Sequence, residues 1–156
     1  MKMPNETNEK PTGKLRHIAL SVPDRRAAQE FYENGFGMEL VRENETPMAS
    51  VGYMSDGVMS LALIEYKSDE AAGQATSPTN VGKDFVGLHH IGFWVDDVDA
   101  TKASLEENGG HYMMGEVAKD TSGGSGFYEI KYRDPNNIIV DITHSGWVGA
   151  EKDPKG

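Results

Sequence analysis

The sequence predicts an α+β fold in which two tandem βαβββ modules set their four-stranded sheets side by side. The result is a partly closed eight-stranded cleft or barrel with helices outside. Two observations carry this. First, Leu15-Arg16-His17-Ile18-Ala19-Leu20-Ser21-Val22 returns as Leu88-His89-His90-Ile91-Gly92-Phe93-Trp94-Val95. At that offset Leu15/Leu88, His17/His90, Ile18/Ile91, Val22/Val95, Asp24/Asp97, Ala27/Ala100, Glu33/Glu106 and Gly37/Gly110 are identical pairs, the self-similarity of an internal repeat. Second, each copy continues with an Asp, a helix-like run, a Gly turn and three short β-rich segments.

The elements follow in order. Residues 1–14 are polar and read as a flexible tail. Residues 15–22 form the first strand. Asp24 caps a helix whose Ala28, Phe31 and Tyr32 share an apolar face, and Gly35 and Gly37 end it. Strands are expected at 38–42, 49–54 and 58–65, the last two joined by the Ser55-Asp56-Gly57 turn. The first module therefore spans 15–65, and a Gly-, Ser- and Pro-containing linker spans 66–86. The second module spans 87–144. Its helix is capped by Asp97, shows Val98, Thr101 and Leu105 on one face, and stops at Asn108-Gly109-Gly110. Strands are expected at 112–117, 127–132 and 138–143, with a Gly/Ser loop at 121–126 and the turn Asp134-Pro135-Asn136-Asn137. Residues 145–156 read as a C-terminal tail.

Composition narrows the function. Net charge is −10, which argues against nucleic acid and against anionic membrane surfaces as partners. There are no cysteines, so disulfides and thiolate chemistry are ruled out. No apolar run approaches the ~18 residues a membrane helix needs, and residues 1–14 lack the apolar core of a secretory signal. A cytoplasmic location is the default expectation.

Alternation along a strand places His17, Ala19 and Ser21 on one face, and His90, Gly92 and Trp94 on the matching face of the second copy. That face is the one turned to the cleft. Asp141 is a carboxylate within the apolar run Ile138-Ile139-Val140-Asp141-Ile142, and burying it requires a partner. A divalent ion shared by His17, His90 and Asp141 is such a partner. Two imidazoles and one carboxylate suit Fe²⁺, and Mn²⁺, Zn²⁺ or Ni²⁺ can use the same set. Glu129 and Lys131 share one face of the strand beside the closing one. They are the candidate catalytic acid/base pair, with an ordinary cross-strand role as the alternative. His89 falls on the opposite strand face from His90 and is assigned packing or capping; His144 is read as structural and His111 as solvated.

LRHIALSV…FYENGFGMEL, LHHIGFWVDDVDAT and YRDPNNIIVDI resemble the vicinal oxygen chelate superfamily of glyoxalases, bleomycin resistance proteins and extradiol dioxygenases. The similarity covers about residues 15–143. It implies a metal in the cleft on His17, His90 and the acidic residue seven positions after Asp134, which is Asp141. It also implies a homodimer. The chain departs from the family pattern at Asn137, where Gly is usual, and at Asp141, where Glu is usual. Ala62 stands at the equivalent place in the first module and cannot coordinate. Lys131 replaces the active-site Tyr of the extradiol enzymes, and no His between His17 and His89 supplies their acid/base. The resemblance therefore implies a metal-dependent, glyoxalase-like lyase or isomerase acting on a small substrate through adjacent oxygens. An Fe(II) ring-cleaving dioxygenase and a non-catalytic bleomycin-type drug binder are the alternatives.

Overall fold

The structure is a computed structural model that describes residues 10–77, 80–116 and 129–155. The expected loop at 121–126 lies outside them. The first module runs β1 (Gly13–Ser21), α1 (Arg25–Phe36), β2 (Glu39–Glu45), β3 (Ala49–Ser55) and β4 (Ser60–Tyr66). The second runs β7 (Gly87–Val95), α3 (Val98–Glu107), β8 (His111–Met114), β9 (Ile130–Arg133) and β10 (Ile139–Thr143). The segment between them carries a single helical turn, α2 (Asp69–Ala72), and a short ribbon of β5 (Gln74–Ser77) and β6 (Asn80–Val81). Among the described residues no helix is long and apolar enough to cross a membrane.

The helix starts and stops follow local chemistry. Asp24 accepts from the Ala27 amide and Asp97 from the Ala100 amide, each satisfying an end group that the helix itself cannot. Gly37 takes the left-handed conformation that ends α1, with φ of 69°. Asn137, in the turn before β10, has φ of 67°, a conformation Asn tolerates and most residues resist.

The eight module strands form one open sheet in the order β2-β3-β4-β1-β7-β10-β9-β8. The halves join through β1 and β7, which run antiparallel, while β4 and β10 lie parallel to β1 and β7 on their outer sides. On the outer face of the second half, Val98 and Leu105 of α3 pack with Val95, Ile130, Tyr132 and Ile142. On the cleft face of the first half, Ala19, Ala49, Ala62 and Ile64 form a second apolar cluster. The cleft-side residues His17, Ala19 and Ser21 are the buried ones in β1, and Ile18 and Leu20 opposite are half-buried. The first strand is thus covered more tightly on the cleft side than under its helix.

Over His17 the cover is the chain after β10, through Trp147. Where the composition predicts a free tail, residues 144–152 are bonded back to both halves. The Glu151 amide donates to the Val58 carbonyl at 3.0 Å, and Ser55 Oγ to the Gly149 carbonyl at 2.6 Å. Arg16 reaches the carbonyls of Glu151 and Lys152 at 2.7 and 3.0 Å. Trp94 Nε1 donates to the His144 carbonyl at 2.9 Å, and Gly146 lies against the Trp94 ring where no Cβ would fit.

Candidate functional site

Register explains how the site is assembled. His17 sits opposite Ser60 on β4 and Gly92 on β7; Gly92 sits opposite Asp141 on β10; Asp141 sits opposite Lys131 on β9. One row across five strands therefore reads Ser60, His17, Gly92, Asp141, Lys131. Its middle member has no side chain. Trp147 lays its ring over that gap: a Cβ on Gly92 would come within 2.6 Å of the indole. The neighbouring row brings His90 beside Ala19 and Ile139.

The two repeat histidines meet as the strand parity predicts. His17 Nε2 lies 3.1 Å from His90 Nε2, and both rings are buried. His17 Nδ1 is 3.1 Å from Ser60 Oγ. The indole of Trp147 stacks on His17 with centroids 4.8 Å apart and planes within 5°. Burial pushes the His17 imidazole down to about 4, with Glu129 opposing and Lys131 assisting, and holds His90 well below the ordinary range. Both rings are neutral at neutral pH.

His89 departs from its expected face. β7 pairs Leu88 with Leu20 and His90 with Ala19, so His89 is the extra residue of a bulge. The bulge turns its ring inward, where Nδ1 lies 2.8 Å from His90 Nδ1. The other nitrogen, Nε2, lies 3.4 Å from the Ala72 carbonyl and from the Tyr66 hydroxyl. A carbonyl only accepts, so His89 carries its proton on Nε2 and accepts on Nδ1. His90 must then donate from Nδ1, which leaves its Nε2 as a bare lone pair facing His17. A backbone carbonyl, passed through one imidazole, thus sets the tautomer of the next.

Three charged groups complete the cluster. Glu129 Oε1 accepts from Trp147 Nε1 at 2.8 Å. Lys131 Nζ donates to both oxygens of Asp141, at 2.9 and 2.7 Å, and stands 3.4 Å from Glu129 Oε2. Asp141 is fully buried, and its Oδ2 is 3.4 Å from His90 Nε2. Burial, reinforced by the neighbouring Glu129 and opposed by Lys131, pushes the Asp141 carboxyl up to about 7. Glu129 goes the other way: although burial opposes it, Lys131 and the Trp147 N–H hold its carboxyl below the usual range. Two neighbouring carboxyls with opposite shifts can divide the work of proton donor and anion.

Of the residues expected to hold a metal, His17 and His90 converge. Asp141 is beside them with both oxygens engaged by Lys131. The group whose ligand atoms all lie within 4.8 Å of one another is His17, His90 and Glu129. Glu129 and Lys131, the expected acid/base pair, both face the cluster. The donor set suits a divalent ion: metal–nitrogen bonds of about 2.0–2.1 Å at tetrahedral to octahedral angles set two imidazole nitrogens about 2.9–3.4 Å apart, and the observed separation is 3.1 Å. His144 is an exposed surface residue whose carbonyl holds Trp94, and His111 is exposed. Sequence reasoning missed Trp147, Ser60 and the inward turn of His89. A Trp in an otherwise polar tail was the one available signal. Beyond Trp147 opens a cleft of about 420 Å³, with Arg42, Asn44 and Tyr53 on one side and residues 145–148 on the other.

Comparison with known proteins agrees with this architecture. The chain is 25% identical over 130 residues to an ethylmalonyl-CoA/methylmalonyl-CoA epimerase of Cereibacter sphaeroides, covering 83% of this chain and 96% of that one. It is 29% identical over 101 residues to a lactoylglutathione lyase of Haemophilus influenzae, covering 62% and 69%. Among solved structures, a Streptomyces coelicolor methylmalonyl-CoA epimerase variant with 2-nitronate-propionyl-CoA superposes with a TM-score of 0.63 at 21% identity, over 83% of this chain and 94% of that one. The Mycobacterium tuberculosis methylmalonyl-CoA epimerase gives 0.62 at 18%, over 87% and 89%. The family model described as Glyoxalase/Bleomycin resistance protein/Dioxygenase superfamily matches residues 14–142. The chain belongs to that superfamily.

Proposed function

We propose that this protein is a redox-neutral isomerase or lyase that moves a proton at a carbon next to a carbonyl, on a small substrate presenting two adjacent oxygens to a divalent ion. The observation that carries the reading is the convergence of two neutral imidazoles on one point, with a carboxylate in reach. His17, His90 and Glu129 would hold the ion, which supplies a Lewis acid to the substrate oxygens. His89 fixes which nitrogen of His90 is bare. Asp141 keeps a carboxyl group near neutrality, where a proton donor and acceptor works best. In the ion-free chain Lys131 holds that carboxyl in place. Trp147 and the alanine wall of the first half exclude water from the proton's path. The epimerase and lyase relatives make CoA or glutathione thioesters the first substrates to try.

Two measurements test this. Elemental analysis after incubation with Mn²⁺, Fe²⁺, Zn²⁺ or Ni²⁺ should find about one ion per chain, lost in His17→Ala and Glu129→Ala and kept in Asp141→Asn. Metal retained equally by all three variants would sink the site. In D₂O, loaded protein should exchange the α-proton of methylmalonyl-CoA or of a 2-hydroxyacyl thioester such as lactoylglutathione, and Asp141→Asn should not. O₂ consumption in place of exchange would return the reading to a ring-cleaving dioxygenase.

A further inference from the structure

Lys131 has a place in the site that acid/base chemistry alone does not account for. Its side chain is 20% exposed, it donates to both oxygens of Asp141, and it lies in reach of Glu129. The cluster sets two carboxylates beside two neutral imidazoles and would be strongly unfavourable with no cation at all. Lys131 supplies one from the chain itself. We infer that Lys131 is a tethered competitor for the divalent ion: its ammonium neutralises the Asp141–Glu129 pair when no ion is present, and an ion binds only by driving it away from those oxygens. The inference rests on the proposed metal-dependent reading.

Geometry gives the reason. An ion bonded to Glu129 Oε2 at roughly 2.1 Å lies no more than about 5.5 Å from an ammonium that is itself 3.4 Å from that oxygen. A divalent and a monovalent cation that close, in a site shielded from water, repel strongly. They also draw on the same carboxylate, Glu129. The ammonium must therefore leave those oxygens. The chain would be folded and stable without metal, would bind ions weakly for its donor set, and would free an amine near the substrate whenever it is loaded.

The test is calorimetric titration of Zn²⁺ and of Mn²⁺ into wild type, Lys131→Met, Lys131→Gln and Lys131→Arg. Competition predicts binding at least about tenfold tighter in the Met and Gln variants, and unchanged in the Arg variant. It also predicts that ion-free Lys131→Met melts well below wild type and recovers on adding Zn²⁺. Should both neutral variants fail to fold, reductive methylation of wild type decides: the Lys131 amine should be modified faster in Zn²⁺-saturated protein than in ion-free protein. Equal or weaker binding in the neutral variants, or equal methylation rates, overturns the inference and leaves the metal reading intact. If no ion binds to wild type or variants, the metal reading itself fails and the inference goes with it.

Discussion

Replacing Trp147 tests whether the segment after β10 is a structural part of the site. The indole is 5% exposed, stacks on His17, and donates to the Glu129 carboxylate at 2.8 Å. Truncating a buried Trp to Ala costs about 3–5 kcal/mol. Trp147→Phe keeps most of the stacking surface and loses the N–H, a bond to a charged acceptor worth about 1.5–3 kcal/mol. Domains of this size are stable by only about 5–15 kcal/mol, so both changes should show in urea denaturation, with Phe intermediate between wild type and Ala. The remaining strap bonds, from Glu151 to Val58 and from Arg16 to residues 151 and 152, set how the loss is spread. If they hold the strap without the indole, the whole cost falls on global stability. If they do not, residues 144–155 detach, the denaturation midpoint moves less, and limited proteolysis trims the C-terminus. Either way Glu129 loses a hydrogen bond that favours its anion, and the His17 ring opens to solvent. A Trp147→Ala protein with unchanged midpoint, unchanged proteolysis and unchanged reactivity of His17 toward diethyl pyrocarbonate would show that the ring does not cover the cluster.

Two further outcomes follow from the same geometry. In Gly92→Ala the new Cβ would meet the Trp147 ring at 2.6 and 2.7 Å and the His17 Cβ at 3.0 Å; overpacking of this kind costs about 1–3 kcal/mol, and Trp fluorescence should shift as the ring is displaced, whereas a silent substitution would place the ring elsewhere. The pH dependence of stability should hold two opposed slopes. Asp141, raised to about 7, gives stability that is complete below its unfolded value of 3.8 and lost as pH rises toward 7, at most about 4 kcal/mol. His17, lowered from 6.5 to about 4, gives stability present above 6.5 and lost as pH falls toward 4, about 3 kcal/mol. In wild type the Asp141 slope offsets part of the positive slope that His17, His89 and His90 give between pH 4 and 7. Asp141→Asn should therefore gain stability steeply with rising pH across that window, and a slope equal to wild type would refute the assignment.

The features legible in the sequence were those set by short-range rules. A repeat with a histidine at one position per copy, and side chains alternating along a strand, were enough to bring His17 and His90 together. Asp24 and Asp97 were readable as caps because capping needs only three residues of chain. Asn137 was readable as a left-handed turn residue for the same kind of reason. Three things were hidden because they depend on pairing between distant segments. Alternation puts His89 outward, and only the slip in register against β1 turns it in. Trp147 lies in a stretch whose polar composition reads as tail, yet a backbone bond to Val58 and a bond from the Ser55 hydroxyl, each some ninety residues away in sequence, dock it. Lys131 engages both oxygens of Asp141 and stands farther from Glu129, a pairing that strand parity cannot specify.

The two halves have kept the same skeleton and divided the chemistry. Ala62 stands opposite Ala19 as Asp141 stands opposite Gly92, so the structure makes Ala62 and Asp141 equivalent positions of the repeat. The first half retains its imidazole and has an apolar wall where the second half has charge: Ala19, Ala49, Ala62 and Ile64 against Glu129, Lys131 and Asp141. Charge on both sides would be costly, because each buried carboxylate needs its own cation and Lys131 alone already serves two. Charge on one side leaves the alanine side open, without a protein donor to fill the ion's remaining positions. On the proposed reading, substrate oxygens enter there, and proton transfer takes place against the Asp141 side. Small side chains in the first half are then as necessary to the chemistry as carboxylates in the second.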